Sequence, residues 1–250
     1  MSCVGMLDWG IGGLGCYRLL KRARPRTPVL YWSDTGAVPY GKLPRRELAR
    51  RVERVIERLA TLGATHVVVA CNAASTVLSE IDAALPTLGT IEAARFAVPR
   101  SLRGTLAVIG GARTVRSGLH RRLLERRHLR VVSRIAQPLS GHIEGGRVGS
   151  AQYHADLARI VKPLRGADAV LLACTHYPAI AGDLRAALGA DVPLLDPAAA
   201  LVAQALSRFG ASHRAGPDRF MTTGSPSAMR AAAQHAWGVT LPRCERATLR

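Results

Sequence analysis

The chain has 250 residues, of which 48% are hydrophobic and 21% charged, a balance that suits a folded globular protein of one large or two modest domains and excludes a disordered one. No apolar stretch reaches the length a membrane span requires, and the start Met1-Ser2-Cys3-Val4-Gly5 lacks the basic and apolar regions of a secretory signal. The formal charge of +18 comes from 32 Arg and 3 Lys; with only 4% aromatic residues and no nucleic-acid motif, basic clusters such as 45–46, 50–51 and 121–130 read as solvated surface that attracts small anions. The five cysteines form no CxxC pair and no disulfide framework, so a reducing cytoplasm is expected.

In chain order, residues 4–7 form an apolar strand ending at Asp8, and the turn Gly10-Ile11-Gly12-Gly13 leads into a helix over 14–22. A second strand, 29–32, ends before Ser33-Asp34-Thr35. Over 44–62, Leu48, Val52, Val55, Leu59 and Leu62 recur at four- and three-residue steps with Arg and Glu between them, which predicts an amphipathic helix stopped by Gly63. The strand 66–70 then delivers Cys71, with Asn72 or Ser75 available to cap a following helix. A second series begins after the loop 99–104: a strand over 106–109, the turn Gly110-Gly111, a helix over 117–127, a strand over 131–135, a helix over 155–164 and a strand over 169–173 that delivers Cys174. The order strand, Gly turn, helix, strand, helix, strand, Cys thus occurs twice. Alternating elements predict parallel sheets, and the repeat predicts two α/β domains of similar topology with a cleft between them. The tail, helical over 227–237, is expected to return to the first domain.

The two ends Val67-Val68-Val69-Ala70-Cys71-Asn72 and Val170-Leu171-Leu172-Ala173-Cys174-Thr175 are closely matched. Short Val-rich runs read as buried parallel strands, and ligands of open α/β sheets bind beyond the carboxyl ends of such strands. Two thiols at two such ends can face one substrate from opposite sides, as removal of a proton from one face of a carbon and its return to the other requires. One strand-end cysteine is ordinarily an inert small hydrophobe; two at equivalent points of a repeat favour a catalytic reading. His176, two residues past Cys174, can orient or activate that thiol, and Glu144 stands in a Gly-flanked loop. Asp8 reads either as a turn carboxylate or as part of a site. The first turn offers a rival: Gly10, Gly12 and Gly15 match GxGxxG, and Asp34 falls where a ribose-binding acid would be sought.

These residues together resemble glutamate racemases. The resemblance runs along essentially the whole chain and is carried by Leu7-Asp8 through Gly13, Asp34-Thr35, Pro39-Tyr40-Gly41, Ala70-Cys71-Asn72, Ile91-Glu92, Thr114 to Gly118, Glu144, Ala173 to Pro178, Asp196 and Thr222-Thr223-Gly224. The ACN and ACTHYP blocks, their cysteines 103 residues apart, are the specific part. The resemblance implies two doubly wound, mostly parallel α/β domains related by a pseudo-twofold duplication, the first comprising 1–94 and 206–250 and the second 95–205, with the active site between them. It implies cofactor-independent and metal-free interconversion of L- and D-glutamate, with Cys71 and Cys174 as the acid/base thiols. Asp8 would assist Cys71, and His176 and Glu144 would assist Cys174. Tyr40 and Gly41 would hold the side-chain carboxylate of a small anionic amino acid, Asn72 and Thr175 would bind around the α-carbon, and Pro39 and Thr114 would complete the substrate wall. The first Gly turn is thereby reassigned from a dinucleotide to substrate. Relatives supply D-glutamate to peptidoglycan, form homodimers in different arrangements, and include some associated with gyrase inhibition.

Two positions depart from the family. Trp9 stands where Ser is usual after the Asp, and Ala73 stands where Thr is usual after Cys-Asn. Both missing hydroxyls would contact polar groups on the α-carbon, so the departures predict a reshaped pocket with altered specificity; the plainer alternative has Trp9 pointing out of the site and water replacing the hydroxyls. Glu92-Ala93, where the family has Pro after the Glu, is a minor loop difference. The rivals to glutamate racemisation are racemisation, isomerisation or decarboxylation of another acid, and a non-catalytic ligand-binding or regulatory role on the same scaffold.

Overall fold

A computed structural model describes residues 3–210 and 216–249; Met1 and Ser2 of the N-terminal segment read above lie outside that range. The first half runs β1 (Val4–Asp8), α1 (Leu14–Ala23), β2 (Val29–Ser33), α2 (Arg45–Thr61), β3 (His66–Val69), α3 (Asn72–Ser75), β4 (Thr87–Gly89) and α4 (Thr90–Ala97). The second runs β5 (Gly104–Gly110), α5 (Ala112–Ser117), α6 (Leu119–Leu124), β6 (Leu129–Ile135), α7 (Gln137–Glu144), α8 (Ala151–Val161), β7 (Ala169–Ala173), α9 (Ala181–Leu188) and β8 (Leu194–Leu195). The chain ends with α10 (Ala198–Phe209), β9 (Arg219–Thr222), α11 (Pro226–Trp237) and β10 (Cys244–Arg246).

Two sheets result, ordered β10-β9-β2-β1-β3-β4 and β6-β5-β7-β8, and every strand pair in them is parallel. Within each, the first four strands in chain order lie as second, first, third, fourth. The repeated order expected from the sequence is therefore present in the topology, and each cysteine follows the third strand of its sheet. The tail returns as expected, with β9 and β10 extending the first sheet beyond β2.

Successive strand residues alternate between two apolar layers. Val4, Met6, Val29, Tyr31 and Val68 join one cluster, while Leu7, Leu30, Trp32, Val67 and Val69 join another beneath α2. Both faces of these strands are thus covered, which is why they read as continuous apolar runs rather than alternating ones. The predicted stripe of α2 is buried at Leu48, Val52, Val55 and Leu59, with Ile56 beside it. The first cluster continues into the second sheet through Ala107, Ile109, Val170 and Leu172. A shared core therefore joins the two lobes, and the cleft opens at the strands' carboxyl ends. Helix α10 packs on α1 and α4, so the expected boundary at 206 falls inside a helix that lies against the first lobe.

Two local expectations are corrected, and the chain after Cys174 differs from that after Cys71. The helix expected over 117–127 is the shorter α6 over 119–124; Gly118, left-handed at φ 66°, separates it from α5 over 112–117, a helix not expected from the pattern. Neither Asn72 nor Ser75 caps α3; Cys71 itself takes the extended N-cap position, since the chain turns as soon as β3 ends. Cys174 is not followed directly by an α-helix: a 3-10 turn over Tyr177–Ile180, opened by Pro178, intervenes before α9.

Candidate active site

The register brings the first set of side chains together. Leu7 pairs with Val69 across β1 and β3, so Asp8 and Cys71 emerge at the same edge. In the second sheet Gly110 pairs with Ala173, which places the turn at Gly111 beside Cys174. Both cysteines line one cleft of about 660 Å³, and so do Asp8, Trp9, Pro39, Tyr40, Gly41, Asn72, Ala73, Thr114, Thr175 and His176. Glu144, the remaining predicted residue, stands behind His176 and reaches the site through it.

Around Cys71 the environment is buried and anionic. Asp8 is 1% exposed and accepts Gly13 N at 2.5 Å, Trp9 N at 2.7 Å and Thr175 Oγ1 at 3.2 Å. Burial pushes the Asp8 carboxyl up, against the opposing pull of His176. Burial first, and the Asp8 charge second, push the Cys71 thiol well above its ordinary value, although the N–H groups of Ala74 and Trp9 act the other way. Cys71 is therefore held as the protonated thiol.

Around Cys174 the partners are cationic. Its Sγ lies 3.8 Å from His176 Nδ1, and His176 Nε2 lies 2.6 Å from Glu144 Oε2. Burial disfavours charge on His176, but hydrogen bonding to Cys174 and Glu144 outweighs it and holds the imidazole protonated well above its ordinary range. Glu144 was expected in a loop; it is the last residue of α7. A carboxylate at a helix C-terminus opposes the helix dipole, so its contacts explain its presence better than helix stability does. The same Oε2 accepts Ile11 N at 3.1 Å, tying α7 to the first lobe's turn.

That turn is glycine-rich because the opposite lobe presses on it. A Cβ on Gly10 would come within 2.8 Å of both Glu144 carboxylate oxygens, and one on Gly12 would sit 2.6 Å from His176 Nδ1 and from Thr175 Oγ1. Trp237 of α11 completes the turn by donating Nε1–H to Ile11 O at 2.9 Å. Asp34, the candidate ribose ligand of the dinucleotide alternative, is committed elsewhere. It is fully buried, takes a bidentate pair from Arg51 at 2.7 and 2.8 Å, and accepts Tyr40 Oη at 2.7 Å and Thr223 Oγ1 at 2.8 Å. The Tyr40 hydroxyl is thereby committed to a buried carboxylate of its own lobe.

Trp9 and Ala73 both line the cleft, and the Trp9 indole N–H donates to Ala37 O at 3.2 Å. Asn72 is 3% exposed and its Oδ1 has no hydrogen-bond partner among the described residues, leaving a buried acceptor at the cleft wall. Sequence reasoning missed Lys42, Arg113, Arg116, Gln137 and Ser140, which also line it; Arg113 follows the second Gly turn, the one local signal that could have found it. Asp196 and Thr222, quoted among the motifs, are structural: Asp196 Oδ1 accepts Ala198 N at 2.9 Å at the start of α10, and Thr222 Oγ1 bonds Thr35 Oγ1 at 3.0 Å. Among the described residues no three His, Cys, Asp or Glu side chains converge as a metal site, and no helix is long and apolar enough to cross a membrane.

Known proteins share this arrangement of chain and fold. Residues 14–205 match the family described as Asp/Glu/Hydantoin racemase. The chain is 34% identical over 244 residues to a glutamate racemase of Deinococcus radiodurans, spanning 91% of this chain and 84% of that protein. The fold matches the crystal structure of glutamate racemase isoform RacE1 from Bacillus anthracis with a TM-score of 0.89 at 27% identity, over 99% of this chain and 98% of that one. It matches glutamate racemase from Thermus thermophilus in complex with β-chloro-D-alanine with a TM-score of 0.86 at 30% identity, over 99% and 97% of the two chains. The chain belongs to the Asp/Glu/Hydantoin racemase family.

Proposed function

We propose that the protein is a glutamate racemase, an isomerase that interconverts L- and D-glutamate by proton transfer between two thiols without a cofactor. The observation that carries this reading is the pair Cys71 and Cys174, delivered by equivalent strands of two sheets to one cleft and given partners of opposite charge. Full-length relatives named as glutamate racemases support the substrate.

An α-proton of an amino acid is a very weak acid, so the site must supply a base, an acid and stabilisation of the carbanion. Acting as the base in its thiolate form beside the His176 imidazolium, Cys174 takes the α-proton from one face and becomes a thiol. The pair of the broken Cα–H bond stays on Cα as a carbanion, and a sulfur lone pair forms the new S–H bond. Cys71, a thiol, gives its proton to the opposite face and becomes the thiolate, so the substrate is inverted and no net proton is consumed. The reverse substrate uses the thiols in exchanged roles, and exchange with solvent resets them. Asn72 Oδ1, an acceptor without a partner, suits the α-ammonium group. Thr175 and Thr114 flank the α-carbon, and Pro39, Tyr40 and Gly41 form the wall for the distal carboxylate. The cations Lys42, Arg113 and Arg116 at the cleft draw in a substrate that carries two carboxylates and a net negative charge. We place the protein in the cytoplasm, where both thiols stay reduced, and divide it into lobes 1–94 with 206–250 and 95–205, with α10 lying against the first.

Proton NMR of the purified protein in D2O with L- or D-glutamate tests this directly. Loss of the Cα–H signal and appearance of the other enantiomer, with no cofactor added, is the expected result. No exchange with glutamate but exchange with another amino acid would move the reading to altered specificity at Trp9 and Ala73. Silence across a panel, from folded protein with reduced thiols, would overturn it.

A further inference from the structure

The stretch 36–43 supplies Pro39, Tyr40 and Gly41 to the cleft yet belongs to neither sheet. A loop with such a role is ordinarily mobile. This one is tied at several points. Within its own lobe, Ala37 N donates to Asp34 O at 3.0 Å, Tyr40 Oη donates to Asp34 Oδ2 at 2.7 Å, and the Trp9 indole donates to Ala37 O at 3.2 Å. Gly36 N also donates to Thr223 Oγ1 at 2.9 Å, and further ties come from the opposite lobe. Arg113, in the first turn of α5, donates Nε–H to Tyr40 O at 3.0 Å and a terminal N–H to Leu43 O. Among the described residues, both hydrogen bonds of this side chain go to the loop, and no carboxylate pairs with it. Gln137 of α7 closes on the same stretch: a Cβ on Gly41 would sit 3.3 Å from its Oε1.

We propose that Arg113 is a positioning residue for the reaction, a clasp by which the second lobe holds the substrate loop of the first. One planar guanidinium grips two carbonyls three residues apart, a geometry that a lysine ammonium cannot reproduce with a single nitrogen on a flexible stem. The clasp does two things. It presets the backbone of Tyr40 and Gly41, so that the ordering of the loop is not charged against substrate binding. It also sets the separation of the lobes at the cleft mouth, where the carboxylate end of the substrate enters. Arg113 touches neither thiol's partners nor any reacting atom, so its effect belongs to binding more than to proton transfer. The inference rests on the reading of Tyr40 and Gly41 as the distal-carboxylate wall.

The test uses the full chain with Arg113→Met, which keeps the apolar stem and removes both donors, and Arg113→Lys, which keeps one. Racemisation kinetics are measured together with amide hydrogen exchange of peptides covering 36–43. For Arg113→Met, KM for glutamate is expected to rise about tenfold, the equivalent of one charged hydrogen bond, with kcat within about threefold of the parent. Exchange of the loop amides is expected to accelerate in the free protein and to slow again with saturating glutamate. Arg113→Lys should lie between the two. An unchanged KM with unchanged loop exchange overturns the proposal, and so does a loss of kcat at constant KM, which would place Arg113 at the reacting atoms. A variant that unfolds is recognised by its melting temperature, and Arg113→Lys then decides by the same readouts. If the parent protein does not turn over glutamate, the reading of function fails, while loop exchange in the variants still judges the clasp.

Discussion

The two lobes bring the same atom to the same place and then treat it differently. Cys71 and Cys174 both follow the third strand of a sheet ordered second, first, third, fourth. Past that point the equivalence ends. On the first side β1 ends in Asp8, whose carboxylate faces Cys71; on the second β5 ends in Gly110, with no charge to offer. On the second side His176 lies two residues beyond its cysteine; on the first that place is taken by Ala73. One thiol is therefore buried beside an anion and the other stands beside a cation. A repeated backbone places the two groups, and unrepeated side chains give them opposite electrostatic surroundings.

The strongest challenge to this comparison is removal of either sulfur. Cys71→Ser and Cys174→Ser should each lower racemisation by about 10²–10⁴-fold, the usual worth of a positioned acid or base. If the lobes act on opposite faces, each variant should keep slow α-proton exchange with a different enantiomer, as NMR in D2O would reveal. Loss of exchange with both enantiomers in only one variant would mean that one thiol does all the work.

The lobes can also be compared in acid. His120, on α6, is 2% exposed with no partner for either ring nitrogen among the described residues, and burial pushes it down to about 4. A depressed histidine is neutral in the folded chain while the unfolded chain takes up the proton. Its contribution is thus complete above about pH 6.5 and is lost as pH falls toward 4. Between pH 7 and 5 the loss is about 2 kcal/mol, obtained from the two pKa values. Urea midpoints at the two pH values should differ less in His120→Leu than in the parent. An unaltered difference would assign the acid lability elsewhere, with His66 of the first lobe, also pushed down to about 4 by burial, the next residue to change.

Glu144→Gln sharpens the electrostatic half of the comparison. Hydrogen bonding to Cys174 and Glu144 holds His176 in its charged form despite burial, so removing the Glu144 charge lets the imidazole lose its proton at lower pH. The alkaline limb of the kcat profile should move to lower pH, with a loss of about tenfold, the equivalent of one displaced pKa unit. An unmoved limb would show that His176 does not set it. The smallest effect is expected from Trp9→Ser combined with Ala73→Thr. Restoring two hydroxyls at the cleft should raise kcat/KM for glutamate by about threefold, about half of one neutral hydrogen bond. No gain would weaken the idea that these positions reshape specificity, and a loss would point to the Trp9–Ala37 tie as the more important contact.

Much of the fold was legible from local pattern. Val-rich runs, the four- and three-residue stripe of α2 and the matched cysteine blocks report burial and periodicity, which depend on near neighbours in the chain. The first four strands of the first lobe were read only in part: three residues of β4 carry too short a pattern, and β9 and β10 are strands because the first sheet has an open edge beside β2 to receive them. Other positions have their reason elsewhere in the chain. Asp34 fits by spacing the ribose ligand of the dinucleotide alternative set aside above, and its partners are Arg51 and Thr223. Glu144 looks like a loop residue between glycines, yet it ends a helix and meets Ile11, 133 residues away.

The sequence by itself determined the two thiols, the strands that carry them and the family they belong to, because apolar runs and short motifs are properties of contiguous residues. The tertiary structure decided what each thiol faces, why the first turn must be glycine, that Trp9 lies along the cleft, and that Arg113 reaches across to the loop at Tyr40. Those facts depend on contacts between distant segments, and only the packing of one lobe on the other brings the segments within hydrogen-bonding range.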